Sequence, residues 1–110
     1  MPHIIIEHDK EVATQINLSL LCKSLHSTLA DQETVKPEAI KTRTIEIDHV
    51  IVADGTNNKM IHVEVRLLGG RSDSLKETMA NALFLRAQEL LVDISCSLTV
   101  NISELGIYKK

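Results

Sequence analysis

Ile61-His62-Val63-Glu64-Val65-Arg66-Leu67-Leu68-Gly69-Gly70-Arg71-Ser72-Asp73-Ser74-Leu75 decides the fold, because two periodicities meet in it across a glycine break. From Ile61 to Leu67 the chain alternates: Ile61, Val63, Val65 and Leu67 face one way, His62, Glu64 and Arg66 the other. A period of two predicts a strand with one buried face. Beyond Gly69-Gly70 the spacing lengthens. Leu75, Met79, Ala82, Leu83, Leu90 and Ile94 make one apolar stripe, which predicts a helix to about Asp93. Ser72 or Ser74 can cap its start with a hydroxyl, and Ser74-x-x-Glu77 fits a capping box.

Outward from this stretch the same alternation of elements recurs. Ser97–Ser103 reads as a last strand, with Leu98, Val100 and Ile102 set against Thr99 and Asn101, and Glu104–Lys110 as an exposed tail or short edge segment. Upstream, Asp54-Gly55-Thr56-Asn57-Asn58 is a turn signal, and Thr42–Val52, rich in Thr, Ile and Val, predicts a strand. His3–His8 contains the continuous run Ile4-Ile5-Ile6, which suits a strand buried on both faces. Val12, Ile16 and Leu20, with Leu18, Leu21, Leu25 and Leu29, predict one helix over about Lys10–Ala30, followed by a polar loop to Glu38.

The order is strand, helix, strand, strand, helix, strand. Each half is a crossover unit, and crossovers give parallel, right-handed strand pairs. The expected architecture is α+β: a four-stranded mixed sheet with two helices on one face. We expect residues 1–110 to form a single domain of two βαβ halves, about 1–52 and 60–104. The other sheet face would be bare and partly apolar, so an oligomer is expected.

Composition narrows the function. At 44% apolar and 25% charged the chain is globular in type. Phe84 and Tyr108 are its two aromatics, too few for a base-stacking platform. A net charge of −3 with no basic run argues against nucleic acid and against an anionic membrane surface. No apolar stretch approaches the ~20 residues that span a bilayer, and the N-terminus lacks the features of a signal peptide, so a cytoplasmic protein is expected. Cys22 and Cys96 form no Cys-x-x-Cys and read as small apolar fillers. His3, His8 and His62 lie on or beside neighbouring strands, but the histidines show no metal-ligand spacing. We expect neither metal nor cofactor, with zinc the weaker alternative.

Pro2 is the first candidate for chemistry. Methionine before proline is normally removed, which turns the Pro2 nitrogen into a secondary amine. An ordinary α-amino group titrates near 7.7–8.0, so about a tenth of it is neutral at pH 7. Desolvation and neighbouring cations favour the neutral form; a depression of about one unit leaves roughly half free to act as a base. Lys41, Arg43 and Arg71 are the second group. Lys41 and Arg43 stand two apart at a strand start, hence on one face. Arg71 lies in the glycine break before a helix, where unpaired amides also favour anions. Together they suit a small dicarboxylate. Taken singly, each is also an ordinary solvated surface cation.

The opening Met1-Pro2-His3-Ile4-Ile5-Ile6-Glu7-His8 resembles the start of the 5-carboxymethyl-2-hydroxymuconate isomerase family. The resemblance continues through Ile40-Lys41-Thr42-Arg43, Val52-Ala53-Asp54-Gly55 and Gly69-Gly70-Arg71-Ser72, and runs to about Glu104. Separately, the segment from Leu68 to Thr78 is similar to the first turn and helix of 4-oxalocrotonate tautomerase. This resemblance implies a tautomerase-like fold, a homotrimer, and a cofactor-free isomerase of aromatic catabolism. It implies that Pro2 is general base and then general acid, and that arginines hold the substrate carboxylates and polarise the developing oxyanion. Arg71 matches one of them. Where the family reads Ile-Arg-x-Arg, this chain has Ile40-Lys41-Thr42-Arg43, which keeps the charge and loses one two-pronged donor. The alternative reading is a trimeric binding protein that keeps the fold without the catalysis.

Overall fold

The computed structural model describes residues 2–110. The expected removal of Met1 lies outside the described residues. The elements are β1 (His3–His8), α1 (Lys10–Ala13), α2 (Leu18–Ala30), β2 (Lys41–Glu46), β3 (Met60–Leu67), α3 (Asp73–Leu90) and β4 (Ser97–Glu104), with a 3-10 turn at Pro37–Ala39. The strands form one mixed sheet in the order β2-β1-β3-β4. β1 and β2 pair parallel, as do β3 and β4, and the two halves join through antiparallel β1 and β3. This is the α+β, β-α-β-β-α-β arrangement expected, with the two main helices on one face.

The period of two in β3 determines which face the helices cover. Ile61, Val63 and Val65 are fully buried and Leu67 nearly so. They share a face with Ile4 and Ile6 of β1 and with Leu98, Val100 and Ile102 of β4. Leu21, Leu25 and Leu29 of α2 and Met79, Leu83 and Ala87 of α3 close over these residues in one aliphatic cluster. Leu75 of the expected stripe packs at its margin.

Four expectations are corrected. The first helix is broken: α1 ends at Ala13, and α2 begins after Asn17, whose side chain accepts from the Leu20 amide at 3.0 Å. An N-cap inside an apolar pattern restarts a helix, and the break leaves Leu20 47% exposed. The second strand begins at Lys41 and stops at Glu46, because its neighbour β1 ends at His8; the Ile47 amide donates to the His8 carbonyl at 2.9 Å as the last rung. Ser72, one of the two expected caps, holds α3 by accepting from the Leu75 amide at 3.1 Å, so the Ser74 capping box is not the one used, and that helix ends at Leu90 instead of Asp93. The open sheet face is polar more than apolar. Its rows run Lys41–His3–Arg66–Ser103, Arg43–Ile5–Glu64–Asn101 and Ile45–Glu7–His62–Thr99.

One carboxylate locks the turn after β1. Asp9 is 6% exposed, accepts from the Val12 amide at 3.0 Å and from the Met60 amide at 2.8 Å, and so ties β1, α1 and the start of β3 together.

Candidate active site

Pro2 is buried directly before β1, at the sheet end where β2 starts and β3 finishes. Its carbonyl accepts from the Lys41 amide at 3.1 Å. This backbone bond brings Lys41 beside the first strand, although 38 residues separate the two positions in the sequence. Lys41 and Arg43 both project from the open face, as their two-residue spacing required. Arg66, opposite His3, adds a third cation to that face.

Arg71 reaches the same end of the sheet by another route. Gly70 has φ +109, a conformation that L side chains rarely adopt, and it turns the chain out of β3 towards α3. The Arg71 guanidinium then binds the loop after α2. It donates to the Thr34 hydroxyl at 2.9 Å, the Thr34 carbonyl at 3.0 Å and the Leu68 carbonyl at 3.3 Å. Those acceptors are uncharged, and Arg71 meets no carboxylate among the described residues. Its positive charge is therefore held in place without being neutralised.

A groove of about 780 Å³ opens alongside the β2 edge, between that strand and α2. Lys41, Arg43 and Lys23 give it positive walls, while Ile40 and Cys22 give it apolar ones. His26 lies in the groove and bonds the Thr42 hydroxyl at 2.7 Å. An apolar floor with cationic walls suits an anion with a hydrocarbon body.

Sequence reasoning missed two partners. His3 was weighed only as a metal ligand. Its Nδ1 faces the Arg43 guanidinium at 3.1 Å and its Nε2 faces the Tyr108 hydroxyl at 2.7 Å. Partial burial and then the cations Arg43, Lys41 and Arg66 hold the His3 imidazole below its ordinary titration range. The C-terminal segment, expected to be an exposed tail or a short edge segment, is mostly exposed but brings Tyr108 edge-on to the His3 ring, with centroids 5.6 Å apart. No local pattern announces a contact between residues 105 positions apart.

The remaining histidines do not converge with His3. His8 lies on the helix side and bonds the Asp9 carbonyl at 2.8 Å. His62 belongs to a separate network on the open face, touching Thr99 at 2.6 Å and Glu64 at 3.0 Å. Asn101 and Ser103 donate to the other Glu64 oxygen at 2.9 and 2.8 Å. Burial pushes the Glu64 carboxyl up, but the bonds from His62, Ser103 and Asn101 outweigh it and leave the group below its ordinary range. Burial raises the Cys96 thiol, in keeping with an inert packing role.

A family model described as 5-carboxymethyl-2-hydroxymuconate isomerase matches residues 2–106. Among solved structures, a 5-carboxymethyl-2-hydroxymuconate isomerase from Deinococcus radiodurans R1 matches at 22% identity and a TM-score of 0.86, over 99% of this chain and 88% of that one. A 5-carboxymethyl-2-hydroxymuconate delta-isomerase gives 16% identity and a TM-score of 0.89, over 100% of this chain and 87% of that one. A native fused 4-OT gives 16% identity and 0.70, over 96% and 91%. No curated protein sequence matches the chain. At these identities the structural likenesses show the fold.

Proposed function

We propose, from the premise that this chain belongs to the 5-carboxymethyl-2-hydroxymuconate isomerase family, that it is a cofactor-free tautomerase of small unsaturated 2-hydroxy dicarboxylates, with Pro2 as the group that moves the proton. The observation that carries this reading is the buried position of Pro2 at a sheet end shared by Lys41, Arg43 and Arg71. The mature Pro2 amine takes the hydroxyl proton of a 2-hydroxydienoate. Electrons shift along the conjugated chain, and the same amine, now protonated, returns the proton to a distant carbon to give the unsaturated ketone. Cations at the pocket wall offset the negative charge that gathers on the oxygen as its proton leaves. Lys41 and Arg43 hold the carboxylates along the groove, and Arg71 supplies fixed positive charge from the far side. In the cell we place the protein in the cytoplasm, as a homotrimer serving aromatic catabolism.

The test uses protein whose processed N-terminus is verified by mass. Pro2→Ala should keep the fold and lower turnover of a 2-hydroxymuconate by about 100-fold or more, the usual weight of a positioned acid–base group. Unchanged turnover eliminates the proposal. Lys41, where the family carries arginine, favours a second reading: a trimeric binding protein without catalysis. A methionine retained on protein from its native source would support that reading, because an amide nitrogen at Pro2 is no base.

A further inference from the structure

His3, Arg43 and Tyr108 come from β1, β2 and the C-terminal segment, and they meet at the sheet end where Pro2 leads into β1. We infer that His3, braced by Tyr108, is a positioning residue that aims the Arg43 guanidinium at a substrate carboxylate; this rests on the reading of Arg43 given above. A guanidinium only donates hydrogen bonds, so His3 Nδ1 facing Arg43 Nη1 at 3.1 Å must be the acceptor. That assigns the ring proton to Nε2, which donates to the Tyr108 hydroxyl at 2.7 Å. The edge-on packing of the two rings fixes the imidazole plane, and with it the direction in which Nδ1 points. Arg43 is exposed and makes no ion pair among the described residues. Without the His3 acceptor its guanidinium has no hydrogen-bond partner among the described residues to define its direction.

The arrangement works with one protonation state. A second proton on His3 would fall on Nδ1, turn the acceptor into a donor and set two cations against each other. The charged and titratable groups facing His3 strengthen this effect. Lys41 and Arg43 face it from β2, Arg66 from β3, Tyr108 from the tail, and the mature Pro2 amine precedes it in the chain. Glu64, the nearest acid along β3 on that face, is engaged by His62, Asn101 and Ser103. Among the described residues no carboxylate is paired with the His3 ring to stabilise an imidazolium.

The experiment is steady-state kinetics on a 2-hydroxymuconate with full-length, processed protein. His3→Ala should raise KM by about tenfold, as expected for a misdirected charge-assisted bond, with kcat within about twofold. His3→Gln, whose amide oxygen can accept from Arg43, should restore most of the loss, and Tyr108→Phe should give a smaller rise in the same parameter. Wild-type KM should climb as pH falls through the folded value of His3, which lies below the ordinary 6.5, whereas KM of His3→Gln should stay flat. Heteronuclear NMR of the ring should find Nε2 protonated near neutral pH. An unchanged KM in His3→Ala, equal losses in the Gln and Ala variants, or a proton on Nδ1 each overturns the inference. If wild type is active and Pro2-dependent while these variants are silent, the positioning role alone falls. If wild type turns over no 2-hydroxydienoate, the functional proposal falls and takes this role with it.

Discussion

At the scale of the residue, the chemistry depends on what surrounds each charge. Lys41 carries a point charge where an arginine would carry a fork, and it is exposed on the wall of the groove. An ammonium attracts a carboxylate without fixing its plane. Lys41→Gln should therefore raise KM for a dicarboxylate by about tenfold or more, while Lys41→Arg should hold KM at or below the wild-type value. Kinetics on the two variants check this, and equal KM values would place the carboxylate elsewhere. Pro2, Lys41 and Arg71 stand out in the sequence because each lies at an element boundary, and Arg43 because it follows Lys41 by two on one strand face. His3 and Tyr108 could not be paired that way, since nothing in either neighbourhood points to the other.

At the scale of the element, two carboxylates do distinct structural work. Asp9 caps α1 and holds the first amide of β3 from inside the fold. Asp9→Ala should cost about 2–3 kcal/mol, the range for a buried charged acceptor and a lost cap together, with Asp9→Asn closer to wild type. Chemical denaturation measures both. Glu64 joins β3 to β4 across the open face. Its folded pKa lies below its ordinary 4.5, so its contribution is whole above that value and is lost as pH falls through the lower folded value. Glu64→Gln should flatten this part of the acid limb in denaturation curves taken from pH 5 downward; an identical limb would refute the assignment. The elements themselves were legible where periodicity was strong, as in β3, and misjudged where a cap intervened. Asn17 interrupts an apolar pattern that continues through it: its backbone is extended and its side chain accepts from the Leu20 amide, while Thr14 closes α1 on the Glu11 carbonyl.

At the scale of the molecule, β2 is one of the two edge strands of the sheet and is exposed along most of its length. The Lys41 and Ile47 amides point inward to Pro2 and His8, so by alternation the amides of Thr42, Thr44 and Glu46 point outward. Ile45, 44% exposed, adds apolar surface beside that edge. An edge of this kind invites a partner. If the proposed trimer pairs along it, Thr44→Pro removes an outward donor, leaves the β1–β2 ladder in place and shifts the protein towards monomer. Sedimentation velocity reads the change; a trimer that survives the substitution assembles through another surface.

By itself the sequence determined the order of the strands and main helices, the face of β3 that would be buried, and the shared face of Lys41 and Arg43. Those features are local: the periods of strand and helix, a glycine break and a two-residue spacing are each complete within about a dozen residues. Tertiary structure decided where β2 stops, how polar the open face is, and which groups stand around His3. Those outcomes depend on strand register and on a returning C-terminal segment, and both are set by the free energy of the whole packed chain instead of any stretch within it.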